Sequence, residues 1–344
     1  MEPLDQHESD SQYTQLRPSS LAEFTGQANA KEQLRTQIEA ARKRGESLRH
    51  ILLGGPPGLG KTSLASIVAE ETGRDFHIAS GPHIASATDL MWMPFALEEG
   101  DIVFIDEIHA VKRSMAEILH GIMEDYIIEY KRKESGIAHQ EREQLPPFTI
   151  MGATTEVGSL SKPLRDRFEV QIDLGFYNED ELAAIVERTA QLLGNQLDSE
   201  AAADLAQRAR GVPRIANRLT KLASDHALAE HNSREITSEV VAAAMHRIGV
   251  DSMGLDQLDR QIIATLVEQF ESGPAGLQTL AGAIAESADT VESHEPYLTQ
   301  IRFLERTAKG RLATDRARRY VKSQRRAEAN AERAEPATIG SLFG

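Results

Sequence analysis

Cysteine is missing from all 344 residues, which removes disulfides, thiolate metal sites and a thiol nucleophile together. No apolar run approaches the roughly 20 residues needed to cross a bilayer, so no membrane partner is expected. Met1–Gln15 is acidic and polar, without the basic start and apolar middle of a secretory signal. A cytoplasmic protein is the expectation. Positive charge is also short: 38 Lys and Arg face 53 Asp and Glu, for a net charge of −15 and a pI near 5.3. That excludes a protein coating nucleic acid over its whole surface, but not one with a local basic strip. There is no internal repeat and no H-E-x-x-H zinc spacing. What is present is globular material, 40% apolar, in a chain long enough for two or three domains.

Leu34, Ile38 and Ala41 lie at helical spacing within Ala30 to Arg44. Ile51 to Leu53 reads as a short buried strand running into a glycine loop, followed by a helix with Leu64, Ile67 and Val68 on one face. Phe76 to Ala79, Ile102 to Ile105 and Phe148 to Ala153 read as further strands. Strands alternating with helices predict an α/β fold with a parallel sheet, over residues 16–178. From Glu179 the pattern turns helical, with segments 179–193, 199–210, 213–230 and 237–248, and predicts a smaller lid domain over 179–254. Residues 255–321 read as a helix, a Gly273-Pro274 break, two short helices and a hairpin from Phe303 to Thr314. That order suggests a winged helix. Residues 1–15 and the charged stretch 322–344 read as disordered ends, the second carrying a short apolar run at Ile339–Phe343.

Gly55-Pro-Pro-Gly-Leu-Gly60-Lys61-Thr62 fits G-x-x-x-x-G-K-[ST], placed directly after a strand and at the start of a helix. Glycines let successive backbone N–H groups face phosphate oxygens, and the helix N-terminus adds positive potential. Gly55, Gly58, Gly60, Lys61, Thr62 and Ser63 are the candidate nucleotide-binding set. Lys61 would reach the β- and γ-phosphates of ATP, and Thr62 would ligate Mg²⁺. Ile102-Val-Phe-Ile-Asp106-Glu107 is an apolar strand ending in two carboxylates. Asp106 suits the Mg²⁺ shell and Glu107 suits the attacking water. His109, two residues on, reads as a loop histidine.

The order of several motifs resembles the RuvB family of AAA+ ATPases, the bacterial motors of Holliday-junction branch migration. Those motifs are Leu16-Arg17-Pro18, Phe24-Thr-Gly26-Gln27, the loop above, Ile105-Asp-Glu-Ile-His109, Met123-Glu-Asp-Tyr126, Leu145-Pro-Pro-Phe148, Gly152-Ala-Thr-Thr155, Pro163-Leu-Arg-Asp-Arg-Phe168, Gly211-Val-Pro-Arg-Ile-Ala-Asn-Arg218 and Glu295-Pro-Tyr-Leu298. The resemblance implies a γ-phosphate sensor at Thr154 or Thr155, an arginine finger at Arg167 serving a neighbour's ATP, and a second sensor at Arg214. It further implies a nucleotide pocket including Leu16, Arg17, Tyr177 and the Glu124, Asp125, Tyr126 segment. Arg306, Lys309 and Arg311 match the wing residues that would touch double-stranded DNA. A ring, most simply a hexamer, acting on a four-way junction is implied, with a RuvA-like partner docking on a hairpin between Tyr126 and Leu145. Here residues 130–144 are far more charged than that hairpin, which weakens the expectation of a standard RuvA. Ala110 and Glu156 stand where the family places arginine, Glu169 where it places glycine, and Ala308-Lys309 where it places Pro-Arg. A clamp-loader-like or replication-restart ATPase, and an ATP-switched DNA-binding protein, are the alternatives.

Overall fold

The computed structural model describes residues 16–134 and 137–334. The acidic start and the apolar run at Ile339–Phe343 lie outside the described residues. The chain divides into two compact units, one ending at Val241 and the other beginning at Ala242.

In the first unit, helix α1 (Ala28–Arg44) buries Ala30, Leu34, Ile38 and Ala41 as a single stripe. It ends at Gly45, φ +67°, after three basic residues that suit the negative end of the helix dipole. Then follow β1 (Ile51–Gly54), α2 (Lys61–Thr72), β2 (Phe76–Ser80), the short helix α3 (Met93–Ala96) and β3 (Ile102–Asp106). After α4 (Arg113–Asp125) come β4 (Ile127–Glu134), β5 (Ile137–Gln144), β6 (Thr149–Thr154), α5 (Lys162–Asp166) and β7 (Val170–Asp173).

Five strands form a parallel sheet in the order β2-β3-β6-β1-β7. Strands β1 and β6 are buried throughout and β3 up to Asp106, because the middle of such a sheet is covered on both faces. Their unbroken apolar runs follow from that burial. Register places Gly54 beside Thr154 and Ser80 beside Asp106, so the carboxyl ends of these strands share one edge. Open parallel sheets bind their ligands at that edge. Strand β7 escaped the sequence reading, since it has only four residues and they alternate buried and exposed. Strands β4 and β5 form their own antiparallel ribbon, pairing Ile127 with Gln144 through Glu134 with Ile137.

The helical part belongs to the same compact unit. Helix α6 (Glu179–Leu192) starts at an Asn178–Glu181 capping box, α7 (Ser199–Arg208) is capped by Asp198, and α8 (Pro213–His231) begins on proline. Leu182, Val186, Leu205, Ala216 and Leu219 form their shared apolar side. The two-residue strands β8 (Gln196–Leu197) and β9 (Glu235–Ile236) pair in parallel. Helix α9 (Ser238–Arg247) carries the chain across the division between units.

The second unit contains α10 (Gln257–Glu268), α11 (Leu277–Ala283), α12 (Ala288–Gln300), β10 (Leu304–Thr307), β11 (Gly310–Ala313) and α13 (Asp315–Ala334). Ile262, Leu266, Leu280, Val291, Leu298 and Phe303 are in its core. Ala275 exchanges backbone hydrogen bonds with Arg311 in both directions, 2.9 and 2.8 Å, which ties the ribbon to the chain before α11. This is the winged-helix arrangement. Gly310 is obligatory at that tie: its φ is +131°, and a Cβ would lie 2.4 Å from the Ala275 carbonyl oxygen.

One boundary needs correction. The chain does not leave regular structure after Val321; α13 continues to Ala334. Val321 is the last buried apolar residue among positions 315–326, and the sequence beyond it is charged but rich in strong helix formers. Among the described residues no helix is long and apolar enough to cross a membrane.

Candidate functional site

The loop from β1 to α2 takes its shape from Gly55, Gly58 and Gly60, all at positive φ: 129°, 80° and 100°. Gly58 also needs its missing side chain. A Cβ there would come within 2.7 Å of Val212 Cγ1 and 3.1 Å of Arg214 Cβ. The loop and the start of α8 therefore touch, and the Arg214 N–H donates to the Gly58 carbonyl at 3.3 Å. Lys61, only 7% exposed, donates from Nζ to the Gly55 and Pro56 carbonyls at 2.7 and 3.0 Å. Burial pushes its pKa down, opposed by Glu107 and Asp106. A buried ammonium whose hydrogen-bond acceptors are neutral carbonyls is matched to an anion such as phosphate.

At the end of β3, Asp106 Oδ1 accepts from the Glu107 N–H at 3.1 Å. Glu107 holds φ +48° and begins a tight turn over Ile108–Ala110. That turn returns His109 to the site. Its Nδ1 lies 3.0 Å from Thr154 Oγ1 and 3.1 Å from Glu107 Oε2. Thr155 Oγ1 donates to the same Glu107 oxygen at 3.3 Å. Both candidate sensor threonines are thus joined to the candidate base, one through His109. The sequence reading set His109 aside because spacing does not reveal a side chain folded back across a turn.

A cleft of about 480 Å³ opens between the loop and the helical part. Leu16, Arg17, Gly58, Gly60, Lys61, Thr62, Ser63, Asp106, Glu107, Tyr177 and Arg214 all line it. Tyr177 is buried and donates its hydroxyl to the Leu59 carbonyl at 3.1 Å; burial raises its pKa. Thr62 Oγ1 and the Asp106 carboxylate offer hard oxygen donors of the kind Mg²⁺ takes. Sequence reasoning missed Arg188, which donates to the Leu16 carbonyl at 2.6 Å and the Arg17 carbonyl at 3.4 Å, holding that segment over the cleft. It also missed Ile185 in the lining, and gave Phe24 and Asn217, both within the motifs above, no place there. Ile185 carries no motif signal, because it is one apolar residue of an ordinary helix.

Arg167 does not line this cleft. It donates from Nε to His120 Nε2 at 3.0 Å, and its Nη2 pairs with Glu124 Oε2 at 2.7 Å. The neighbouring Asp166 is held separately, by Lys162 at 3.3 Å. Phe168, fully buried beside Gly152 and Ile108, fixes the backbone under Arg167. The nucleotide role expected of Glu124, Asp125 and Tyr126 is not met in the chain's own cleft, since none of the three lines it. Glu124 serves Arg167, Asp125 offers its carbonyl to Gln144 at 3.2 Å, and Tyr126 packs edge-on against Phe148. They close α4, with Tyr126 at φ +54°.

In the second unit, Arg306 and Arg311 face each other across the ribbon, and the exposed Lys309 sits at its turn. Both arginines bond the carboxylate of Glu295, which is wholly buried. Asp256, Asp259 and His294 bring candidate ligand atoms within 4.8 Å of one another. Asp256 and Asp259 form the capping box of α10, and His294 bonds Asp259 at 2.7 Å, so this cluster is explained without a metal.

Comparison with known proteins covers nearly all of the chain. Residues 16–174 match the Holliday junction DNA helicase RuvB P-loop domain, 177–251 the RuvB AAA lid domain, and 252–322 the RuvB C-terminal winged helix domain. The Holliday junction branch migration complex subunit RuvB of Kosmotoga olearia is 47% identical over 89% of this chain and 90% of its own length. The protein of the same name from Myxococcus xanthus is 44% identical over 95% and 93%. A solved structure, the Thermotoga maritima RuvB Holliday junction branch migration motor, superposes with a TM-score of 0.80 at 42% identity, covering 90% of this chain and 98% of that one.

Proposed function

The chain belongs to the RuvB family, and from that membership we propose an ATP-driven motor that assembles as a hexameric ring on double-stranded DNA and drives branch migration of Holliday junctions. The observation that carries the reading is the cleft: a buried lysine with neutral acceptors, two carboxylates at the end of β3 and a lid arginine, all around one space. Three functional parts follow, an ATPase domain at 16–178, a lid at 179–254 and a winged helix at 255–321.

Lys61 and the loop N–H groups would bind the β- and γ-phosphates of ATP, and Leu16, Arg17 and Tyr177 the base side of the cleft. Thr62 and Asp106 would hold Mg²⁺, whose charge would offset that of the phosphates. Glu107 would orient the attacking water and accept its proton, steadied by Thr155 and, through His109, by Thr154. Arg214 joins lid to loop, so a change at the γ-phosphate would alter the lid. Arg167 would enter a neighbouring chain's cleft and stabilise charge there, an effect worth roughly 10³–10⁵ in rate in related phosphoryl transfers. Arg306, Lys309 and Arg311 would contact DNA phosphates without reading bases, as movement along any sequence requires.

The β4–β5 ribbon is the proposed site for a RuvA-like partner. Its lower half carries Glu129, Tyr130, Glu141, Arg142 and Glu143, with the Tyr130 hydroxyl donating to both Glu141 and Glu143 at 2.9 and 2.6 Å. A polar, charge-matched contact is therefore favoured over an apolar anchor. The place of work would be the cytoplasm, where bacterial DNA lies. The deciding experiment is branch migration on a synthetic four-way junction, with and without a RuvA protein. Junction movement that requires ATP is expected. DNA-stimulated hydrolysis without movement would instead favour a loader, and nucleotide-dependent DNA affinity without turnover a switch.

A further inference from the structure

Opposed arginines on adjacent strands repel, and such pairs normally weaken a ribbon. Here Arg306 and Arg311 occupy directly opposed positions on β10 and β11. Between them lies Glu295 of α12, whose side chain has no solvent exposure. Arg306 donates to Glu295 Oε2 through Nε, while Arg311 donates to Oε1 through Nε at 2.7 Å and to Oε2 through Nη2 at 3.3 Å. Arg311 is also fixed through its backbone by Ala275, and its side chain is only 17% exposed. Arg306 is half exposed, and its Nη2 makes a longer contact of 3.3 Å to the exposed Glu292.

We propose that Glu295 is a positioning residue for DNA: it locks two guanidinium groups edge-out at a fixed spacing, so that they meet backbone phosphates as a preset pair. The inference rests on the wing being the DNA contact and deepens that reading. Each Nε is committed to Glu295, as is Arg311 Nη2, which fixes the plane of each guanidinium and leaves chiefly the Nη1 edges for phosphate. A fixed fork loses less freedom on binding than a mobile side chain. Glu292 has a different part. It is exposed, holds Arg306 from outside, and is the group a phosphate would replace.

The two glutamates therefore have opposite predicted effects, although each contributes one negative charge near the DNA. Binding of the full chain to a labelled duplex is measured across a salt series by fluorescence anisotropy. Glu295→Gln should weaken binding by roughly tenfold and flatten the salt slope, even though it removes a negative charge. Glu292→Gln should strengthen binding by about two- to threefold, as loss of a competing carboxylate does. Basal ATPase without DNA should be unchanged in both, which reports an intact first unit, and circular dichroism reports the second. If Glu295→Gln proves unstable, Glu295→Asp keeps the charge but shortens the reach, and should also weaken binding. Equal or tighter binding by a folded Glu295 variant, with an unaltered salt slope, overturns the inference. Undiminished binding by both Arg306→Ala and Arg311→Ala would instead remove the wing reading itself.

Discussion

His50 illustrates how one side chain can be settled by its neighbours. It is buried, its Nδ1 accepts from the Ile150 N–H at 2.9 Å, and its Nε2 lies 3.1 Å from the Met123 carbonyl. A proton on Nε2 alone satisfies both, so the ring is held neutral, and burial lowers its pKa below the usual value. The unfolded chain then binds the proton more readily. Stability from this residue is complete above about pH 6.5 and is lost as pH falls toward the folded pKa. Urea unfolding at pH 7.5 and 5.5 should give a lower midpoint at 5.5, with a smaller difference in His50→Gln. At the cleft, Glu107→Gln should bind ATP with near-normal affinity while turnover drops by roughly 10²–10⁴. A phosphate-release assay beside a fluorescent-nucleotide titration separates the two. The lysine, the glycines and both carboxylates were legible in the sequence because their roles require fixed spacing along one strand and one turn. His109 and Arg188 were not, since they reach the site through a folded-back turn and a helix face from the lid.

Among elements, legibility followed burial. Strands β1, β3 and β6 are covered on both faces and announce themselves as apolar runs. Strand β7 sits at the edge of the sheet with half its residues outward, and offers too short a pattern to detect. Helix α13 runs on past Val321 through a charged, alanine-rich stretch, which in sequence looks like tail. The lid helices were found within a residue or two because caps mark their ends: Asn178, Asp198 and Pro213. The wing ribbon allows a test at this scale. Gly310→Ala places a methyl against the Ala275 carbonyl and forces a positive φ on a residue that resists it, at a cost of about 1–2 kcal/mol or more. DNA affinity should fall while ATPase measured without DNA stays unchanged, since the lesion is confined to the second unit. A loss of DNA-free ATPase would show that the ribbon supports more than DNA contact.

For the whole molecule, the charge balance in the sequence already pointed to a local basic strip as the place for DNA. With a net charge of −15, most of the surface repels a duplex. Binding should therefore depend on the few wing cations, and Arg306→Ala and Arg311→Ala should each lower the slope of log affinity against log salt by about one. The second molecular feature is the position of Arg167, held by His120 and Glu124 and outside its own chain's cleft. If it serves a neighbour, ATPase per chain should rise with protein concentration and level off as rings fill. A flat profile down to dilute monomer would sink that role. The same position has a consequence in genetics. An Arg167→Ala chain would keep a sound cleft and silence the one beside it, so its own cleft stays usable wherever a neighbour lends it a normal arginine. A Glu107→Gln chain fails only in its own cleft while lending its arginine to others. The two alleles should accordingly complement each other in mixed rings, each supplying the half that the other lacks.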